Sequence, residues 1–207
     1  MKLAIFGASG FARETSDIAE RTGYDEIFFI GKTAENPIQG HPVILEEKVP
    51  SLVRGGFSFI IGIGSPAARK SVWSRFPELN YVNLIHPSAT FGSGQLEEVQ
   101  KRIGNIIFAG ARFSNRIRMG NHGVFYFNCT VAHDCVMEDF VTVCPGANLS
   151  GNVRLKEGAY LGVNSCVIQG GSEAEKMTVG RFATVGAGAV VTKNVPDHRI
   201  VKGIPAK

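Results

Sequence analysis

The chain has 207 residues, 44% of them apolar, 9% aromatic and 19% charged, with a net charge of +4. The length suits two small domains. No stretch reads as a membrane span, and Met1-Lys2 leads straight into a strand pattern without a signal peptide, so the expectation is a cytoplasmic chain with no membrane partner. The charge is mild and unclustered, which argues against a nucleic-acid groove and suits a site for phosphorylated small molecules.

In chain order, KLAIFG is a buried-type strand that ends in Gly7-Ala8-Ser9-Gly10. A helical run over residues 11–22 follows, then strand EIFFIG, short strand HPVI, a helix over 46–54, strand FSFIIGIG and a helix over 66–76. This alternation predicts an α/β, Rossmann-like unit with a small parallel sheet. A Gly-rich turn between strand and helix presents backbone N–H groups to a phosphate. GASG lacks the GxGxxG spacing, however, and Ile30-Gly31-Lys32 stand where a dinucleotide site has an acidic residue, so no NAD site is expected. The second junction, Gly62-Ile63-Gly64-Ser65-Pro66, puts Pro66 in the first turn of its helix with Ser65 as the cap. Two such strand ends side by side predict a ligand crevice at the carboxyl edge of the sheet, with Gly7, Ala8, Ser9, Gly10, Phe11, Lys32, Gly64 and Ser65 as candidate lining residues. Residues 81–87 link this unit, 1–83, to a second one, 84–207.

The second unit has a different grammar. From Ile107 to Val167 every sixth residue is aliphatic, aromatic or Met, including Phe113, Met119, Phe125, Val131, Met137, Val143, Leu149, Leu155 and Leu161. Four residues after each stands a mostly small residue, such as Ala111, Cys129, Cys135, Ala147 or Ala159. In a strand, positions i and i+4 share a face, so the pattern predicts a β-solenoid whose inner wall turns at small residues. Gly at i+1, as in Gly120, Gly162, Gly180 and Gly186, is expected to relax the corners. The register lapses at Glu173 and returns at Val179, so 170–176 reads as a loop pushed out of one wall, and 93–101 interrupts the earlier hexads. The four Cys contain no CxxC pair, and Cys129 and Cys135 fall on inward positions, which makes them core thiols.

The hexads VAHDCV, MEDFVT, VCPGAN, LSGNVR, LKEGAY and LGVNSC resemble the hexapeptide-repeat acyltransferases, whose left-handed parallel β-helix takes three hexads per coil. With FGASGF near the start, FIIGIGSPAARK in the middle, NLIHPSA at the junction, VAHDC in the solenoid and GIPAK at the end, almost the whole chain resembles the NeuD/PglD family. Its members acetylate sialic acids on oxygen or nucleotide-linked 4-amino sugars on nitrogen.

On the residues themselves, Val131 and Cys135 point inward, so His133 and Asp134 project from a corner. An imidazole suits proton abstraction near neutral pH, and an adjacent carboxylate orients it. The resemblance implies that His133 is the general base and Asp134 its orienter, that the active unit is a homotrimer with sites between subunits, and that acetyl-CoA lies between adjacent β-helices. It assigns the thioester carbonyl to Gly151 and further cofactor-lining positions to Val163 and Ala187. Lys193, Arg181 and Lys202 are candidates for the CoA phosphates. His122 matches no motif and reads as a surface or subunit-interface residue. With two His between Ile107 and Val191, a three-His zinc site is not expected. The chain departs from the family at three points: Tyr126 stands where Asn is common, Gly31-Lys32 replace an Asp-Asp pair, and Phe11 replaces His. The expected function is acetyl-CoA-dependent N-acetylation of a nucleotide-linked 4-amino sugar for a surface glycan. O-acetylation of a sialic acid and a non-catalytic assembly role are the alternatives.

Overall fold

The computed structural model describes residues 1–33 and 36–207. Its first part contains β1 (Lys2–Phe6), α1 (Gly10–Arg21), β2 (Glu26–Gly31), β3 (Val43–Leu45), α2 (Val49–Arg54), β4 (Ser58–Ile61) and α3 (Pro66–Arg75). The strands form one parallel sheet in the order β3-β2-β1-β4. β1, β2 and β4 are apolar on both faces and need cover on both. Val49 and Leu52 of α2 and Val72 of α3 pack on one face around Phe6 and Phe59. Ala12, Ile18 and Ala19 of α1 pack on the other around Leu3, Ile5 and Phe29. The helix expected over 46–54 is divided into a 3-10 turn, Glu46–Lys48, and α2. Pro50 has no N–H and its ring would crowd the Glu46 carbonyl in a continuous helix, so the helix restarts with Pro50 in its first turn.

From Leu84 the chain winds into a left-handed parallel β-helix with three walls. Wall A runs from Leu84–Ile85 through Ile106–Ile107, Val124–Phe125, Thr142–Val143, Tyr160–Leu161 and Thr184–Val185 to Ile200–Val201. Wall B runs from Thr90–Phe91 through Arg112–Phe113, Thr130–Val131, Asn148–Leu149 and Cys166–Val167 to Val190–Val191. Wall C has Val136–Met137, Val153–Leu155 and Met177–Val179. Val131 pairs with Leu149 and Leu149 with Val167, which makes a coil of three hexads. Leu155 pairs instead with Val179, one hexad further on, and the extra residues form the loop at 170–176. The hexad residues and the small i+4 residues, with Cys129 and Cys135 among them, build one continuous inner core.

The corners turn differently from the expectation. Positive φ recurs every six residues at Gly104, Gly110, Arg116, His122, Asn128, Asp134, Phe140, Gly146, Asn152, Gly158 and Asn164, which is position i+3 of the hexad. The glycines at i+1 do not have positive φ, and their reason is proximity. A Cβ at Gly120 would lie 2.5 Å from the Glu138 carbonyl carbon and one at Gly162 2.7 Å from the Ala187 nitrogen, both on the coil above.

The segment at 93–101 contains α4 (Gln95–Gln100), which closes the first coil where wall C would begin. Val99 is fully buried against the inner core, and the Gln95 side chain both donates to the Ile117 carbonyl (3.0 Å) and accepts from the Ile117 N–H (2.9 Å).

The two parts share a core, because Leu84, Ile106 and Val124 on the outside of wall A pack with α1 and β1. Arg69 of α3 joins them more specifically. It is 1% exposed and donates to the carbonyls of Ile63, Gly64, His122, Phe140 and Val141 and to Thr142 Oγ1, at 2.7–3.1 Å. Burial pulls its pKa down to about 9, which leaves it cationic at neutral pH. Removing it strands several buried carbonyls. Arg69→Met is therefore expected to lower unfolding free energy by about 3–5 kcal/mol in urea titrations, and Arg69→Lys to recover little, since an ammonium lacks the planar fork.

Candidate active site

His133 follows wall B and precedes Asp134, whose φ of 58° turns the chain into wall C. That turn leaves the imidazole outside the prism, with its side chain 47% exposed. Its Nδ1 lies 2.7 Å from Asp134 Oδ2, so Nδ1–H donates to the carboxylate, and in the neutral ring this leaves Nε2 as the atom with the free lone pair. Asp134 Oδ1 meets Arg116 Nε at 2.8 Å, and its backbone carbonyl accepts from Lys176 Nζ at 2.6 Å. The hydrogen bond from His133, and then the Arg116 charge, hold the Asp134 carboxyl below the usual carboxylate range. Lys176 comes from the extra loop, is 8% exposed, and also pairs with Glu173. The loop thus straps the turn that carries the imidazole.

Gly151 lies one coil on from His133. A Cβ there would stand 2.5 Å from His133 Cε1 and 2.7 Å from Nε2, so the ring rests on a surface that only glycine leaves open. Val163 and Ala187 are brought together by the Gly188 N–H, which donates to the Val163 carbonyl at 2.8 Å. They stand on the corner between walls A and B, whereas His133, Gly151 and Lys193 stand on the corner between walls B and C. Wall B separates the two groups. Lys193 borders a cavity of about 660 Å³ on wall C together with Arg118, Arg154 and Lys176.

In the α/β part, Gly7, Ala8, Ser9 and Lys32 line one crevice of about 290 Å³ at the carboxyl ends of β1 and β2. The other four residues expected there have different places. Gly10 opens α1, and Phe11 turns to the solenoid, with its ring 5.7 Å from that of Phe108 and 5.4 Å from that of Tyr126. The Gly64 carbonyl is taken by Arg69, and Ser65 caps α3. The ring of Phe11 needs apolar cover and finds it on the solenoid. The Gly64-Ser65 turn bends back to receive a buried cation.

His122 is a correction. It is 1% exposed, stacked on Phe140 (5.3 Å) and edge-on to Tyr81 (4.8 Å), at the seam between the two parts. Both ring nitrogens are buried without a hydrogen-bond partner among the described residues. Desolvation, then the Arg69 charge, lowers its pKa to about 4. A surface place fails because its own αL corner points into the gap that α3 fills.

Arg69 and Lys176 also shape the site, and their sequence signals are faint. Each acts through a partner distant in the chain. Among the described residues no group of His, Cys, Asp and Glu could hold a metal ion.

Residues 2–76 match the PglD N-terminal domain family. The acetyltransferase domain of PglB from Neisseria gonorrhoeae FA1090, solved also with acetyl coenzyme A, is 30% identical with a TM-score of 0.88, over 100% of this chain and 98% of that one. A perosamine N-acetyltransferase from Caulobacter crescentus, solved with CoA and GDP-perosamine, is 26% identical with a TM-score of 0.90, over 100% and 96%. Among curated relatives, GDP-perosamine N-acetyltransferase of Escherichia coli O157:H7 is 28% identical over 80% of this chain and 77% of its own length. A Bacillus pumilus serine acetyltransferase is 34% identical, but the match spans only 42% of this chain and 40% of that enzyme.

Because His122 stays neutral when folded and protonates when unfolded, its contribution to stability is full above pH 6.5 and is lost as pH falls from there to about 4. His122→Phe should remove that slope, worth about 3 kcal/mol at most, in thermal or urea unfolding followed across this range. An unchanged slope would place the acid sensitivity elsewhere.

Proposed function

The chain belongs to the NeuD/PglD family of sugar acetyltransferases, and from that premise we propose that it transfers the acetyl group of acetyl-CoA to the amine of a nucleotide-linked 4-amino sugar in surface-glycan synthesis. The observation that carries this reading is the His133-Asp134 pair resting on Gly151 at an exposed corner. His133 Nε2 takes a proton from the attacking nitrogen as it adds to the thioester carbonyl, and Asp134 stabilises the imidazolium. The Gly151 N–H supports the oxyanion. When the tetrahedral intermediate collapses, the C–S bond breaks, the amide forms, and the CoA thiolate takes the proton from His133. Relatives solved or named with GDP-perosamine favour nitrogen over oxygen as the acceptor atom. The crevice at Gly7, Ala8, Ser9 and Lys32 receives the nucleotide, and acetyl-CoA, available in the cytoplasm, supplies the acyl group.

The working unit in this reading is a homotrimer built on wall B. The first strands of wall A are covered by the α/β part, and wall C is charged, with Arg118 and Arg154 outward beneath the extra loop. Wall B presents Thr130, Asn148, Cys166 and Val190, a face of small or uncharged groups below Arg112. A threefold axis facing wall B sets the A/B corner of one subunit against the B/C corner of the next. Val163 and Ala187 of one subunit then reach the groove that holds His133, Gly151 and Lys193 of its neighbour.

The test is thiol release from acetyl-CoA with GDP-perosamine and UDP-linked 4-amino sugars, and with sialic acid as the oxygen acceptor. His133→Ala should lower kcat by about two to four orders of magnitude with little change in acetyl-CoA affinity, and Asp134→Asn by less. Gly151→Ala should lower kcat as well, because the added Cβ displaces the ring. Thiol release only with sialic acid would replace the N-acetyl reading by O-acetylation, and a catalytically active monomer in light scattering would remove the trimer.

A further inference from the structure

Tyr126 occupies the A/B corner of the same coil that carries His133 on its B/C corner. Its hydroxyl donates to Glu14 Oε2 of α1, and its ring lies parallel to that of Phe108 at 4.4 Å. Burial, and then the neighbouring carboxylate, push the phenol pKa up, so Tyr126 keeps its proton and Glu14 accepts it as a hydrogen bond. Glu14 is half-buried and makes no ion pair among the described residues. It lines a cleft of about 510 Å³ between α1 and the first coils, with Asp17 beside it, Phe108 and Phe127 as the apolar floor, and Arg21 and His86 at the rim. The His86 Nδ1 accepts from the Ser88 N–H at 3.1 Å, and desolvation, then Arg21, lowers its pKa. A carboxylate held in place by a tyrosine, above an aromatic floor, has the chemistry to receive a cationic amine carried on a sugar ring.

We infer that Glu14, held by Tyr126, is a specificity-determining residue that binds the ammonium form of an incoming amino sugar opposite His133 of the adjacent subunit. The inference rests on the trimeric acetyltransferase reading above. Threefold symmetry about an axis along the prism keeps equal coils level, so the Tyr126 corner of one subunit meets the His133 corner of the next at the same height. The acceptor amine is drawn in as a cation by Glu14. It must lose that proton to solvent before its nitrogen attacks, and His133 then takes the second proton during the attack. A neutral hydroxyl acceptor can only hydrogen-bond to the same carboxylate, without the ion-pair attraction that an ammonium adds, so Glu14 favours amines over alcohols.

Glu14→Gln keeps an oxygen for the Tyr126 hydroxyl and replaces the charged carboxylate by a neutral amide of the same shape. With whichever of GDP-perosamine or a UDP-linked 4-amino sugar supports thiol release, this variant is expected to lower kcat/KM for the acceptor about tenfold, chiefly through KM, and to leave KM for acetyl-CoA and the melting temperature unchanged. Tyr126→Phe should give a smaller loss in the same direction. Mixed trimers of His133→Ala and Glu14→Gln subunits provide the second readout, at low acceptor concentration. Random mixing pairs an intact His133 with an intact neighbouring Glu14 in roughly a quarter of the interfaces, so activity should rise well above the mean of the two parents. An unchanged acceptor KM in Glu14→Gln, or mixed trimers no better than the parental mean, overturns the inference while a severe His133→Ala defect leaves the acetyltransferase reading standing. No thiol release with any amino sugar removes that reading and this inference together.

Discussion

The guanidinium of Arg69 is a full positive charge, 1% exposed, and the oxygens around it are all neutral. Five carbonyls and a hydroxyl converge on it, some from the β4–α3 turn and the rest from two successive solenoid corners. An isolated ion in such a place is costly, and oriented carbonyl dipoles are what make it tolerable. The consequence is positional. With α3 fixed against the corners at His122 and Phe140, the sheet lies over wall A, and α1 brings Phe11 and Glu14 onto Tyr126. The crevice at the strand ends and the corner chemistry are held in one frame by a residue that lines neither.

The repeating corner explains why the reactive imidazole lies where it does. Each corner has one left-handed residue every six positions, and the side chain just before it is thrown outward. Asp adopts this conformation more readily than most non-glycine residues, so a single residue at 134 both turns the chain and carries the carboxylate beside the ring. The coil above must then be bare under the ring, which is what Gly151 provides. Lys176 and Arg116 tie down the carbonyl and the carboxylate of the same residue. The geometry at His133 is thus set by the solenoid's own rule plus one extra loop.

Much of this was legible. A period of six with a second position at i+4 is a local, repeated signal, and it was enough to name the solenoid, its inward cysteines and the loop at 170–176. Glycine at i+1 was assigned to the wrong cause, because close approach of the next coil and a positive φ leave the same letter in the sequence. His122 could not be placed, since its burial depends on α3, some fifty residues earlier. Gly64 and Ser65 looked like a ligand turn; the Gly64 carbonyl meets Arg69 and Ser65 caps α3, and one arginine in PAARK gives no sign that its side chain is buried. Sequence periodicity reports on repeated neighbours and says little about a single contact made once.

The closing of the first coil by α4 bears on what the molecule avoids. A parallel solenoid that ends in open strands offers a ready template for another chain to continue it, and such ends lead to fibres. Here the Ile117 backbone at the start of wall C has both of its hydrogen-bonding groups met by the amide of one glutamine, and Val99 fills the end of the core. A side chain satisfies those groups as a strand would, but it has no further backbone edge to offer. At that wall, growth of the coil stops with this chain.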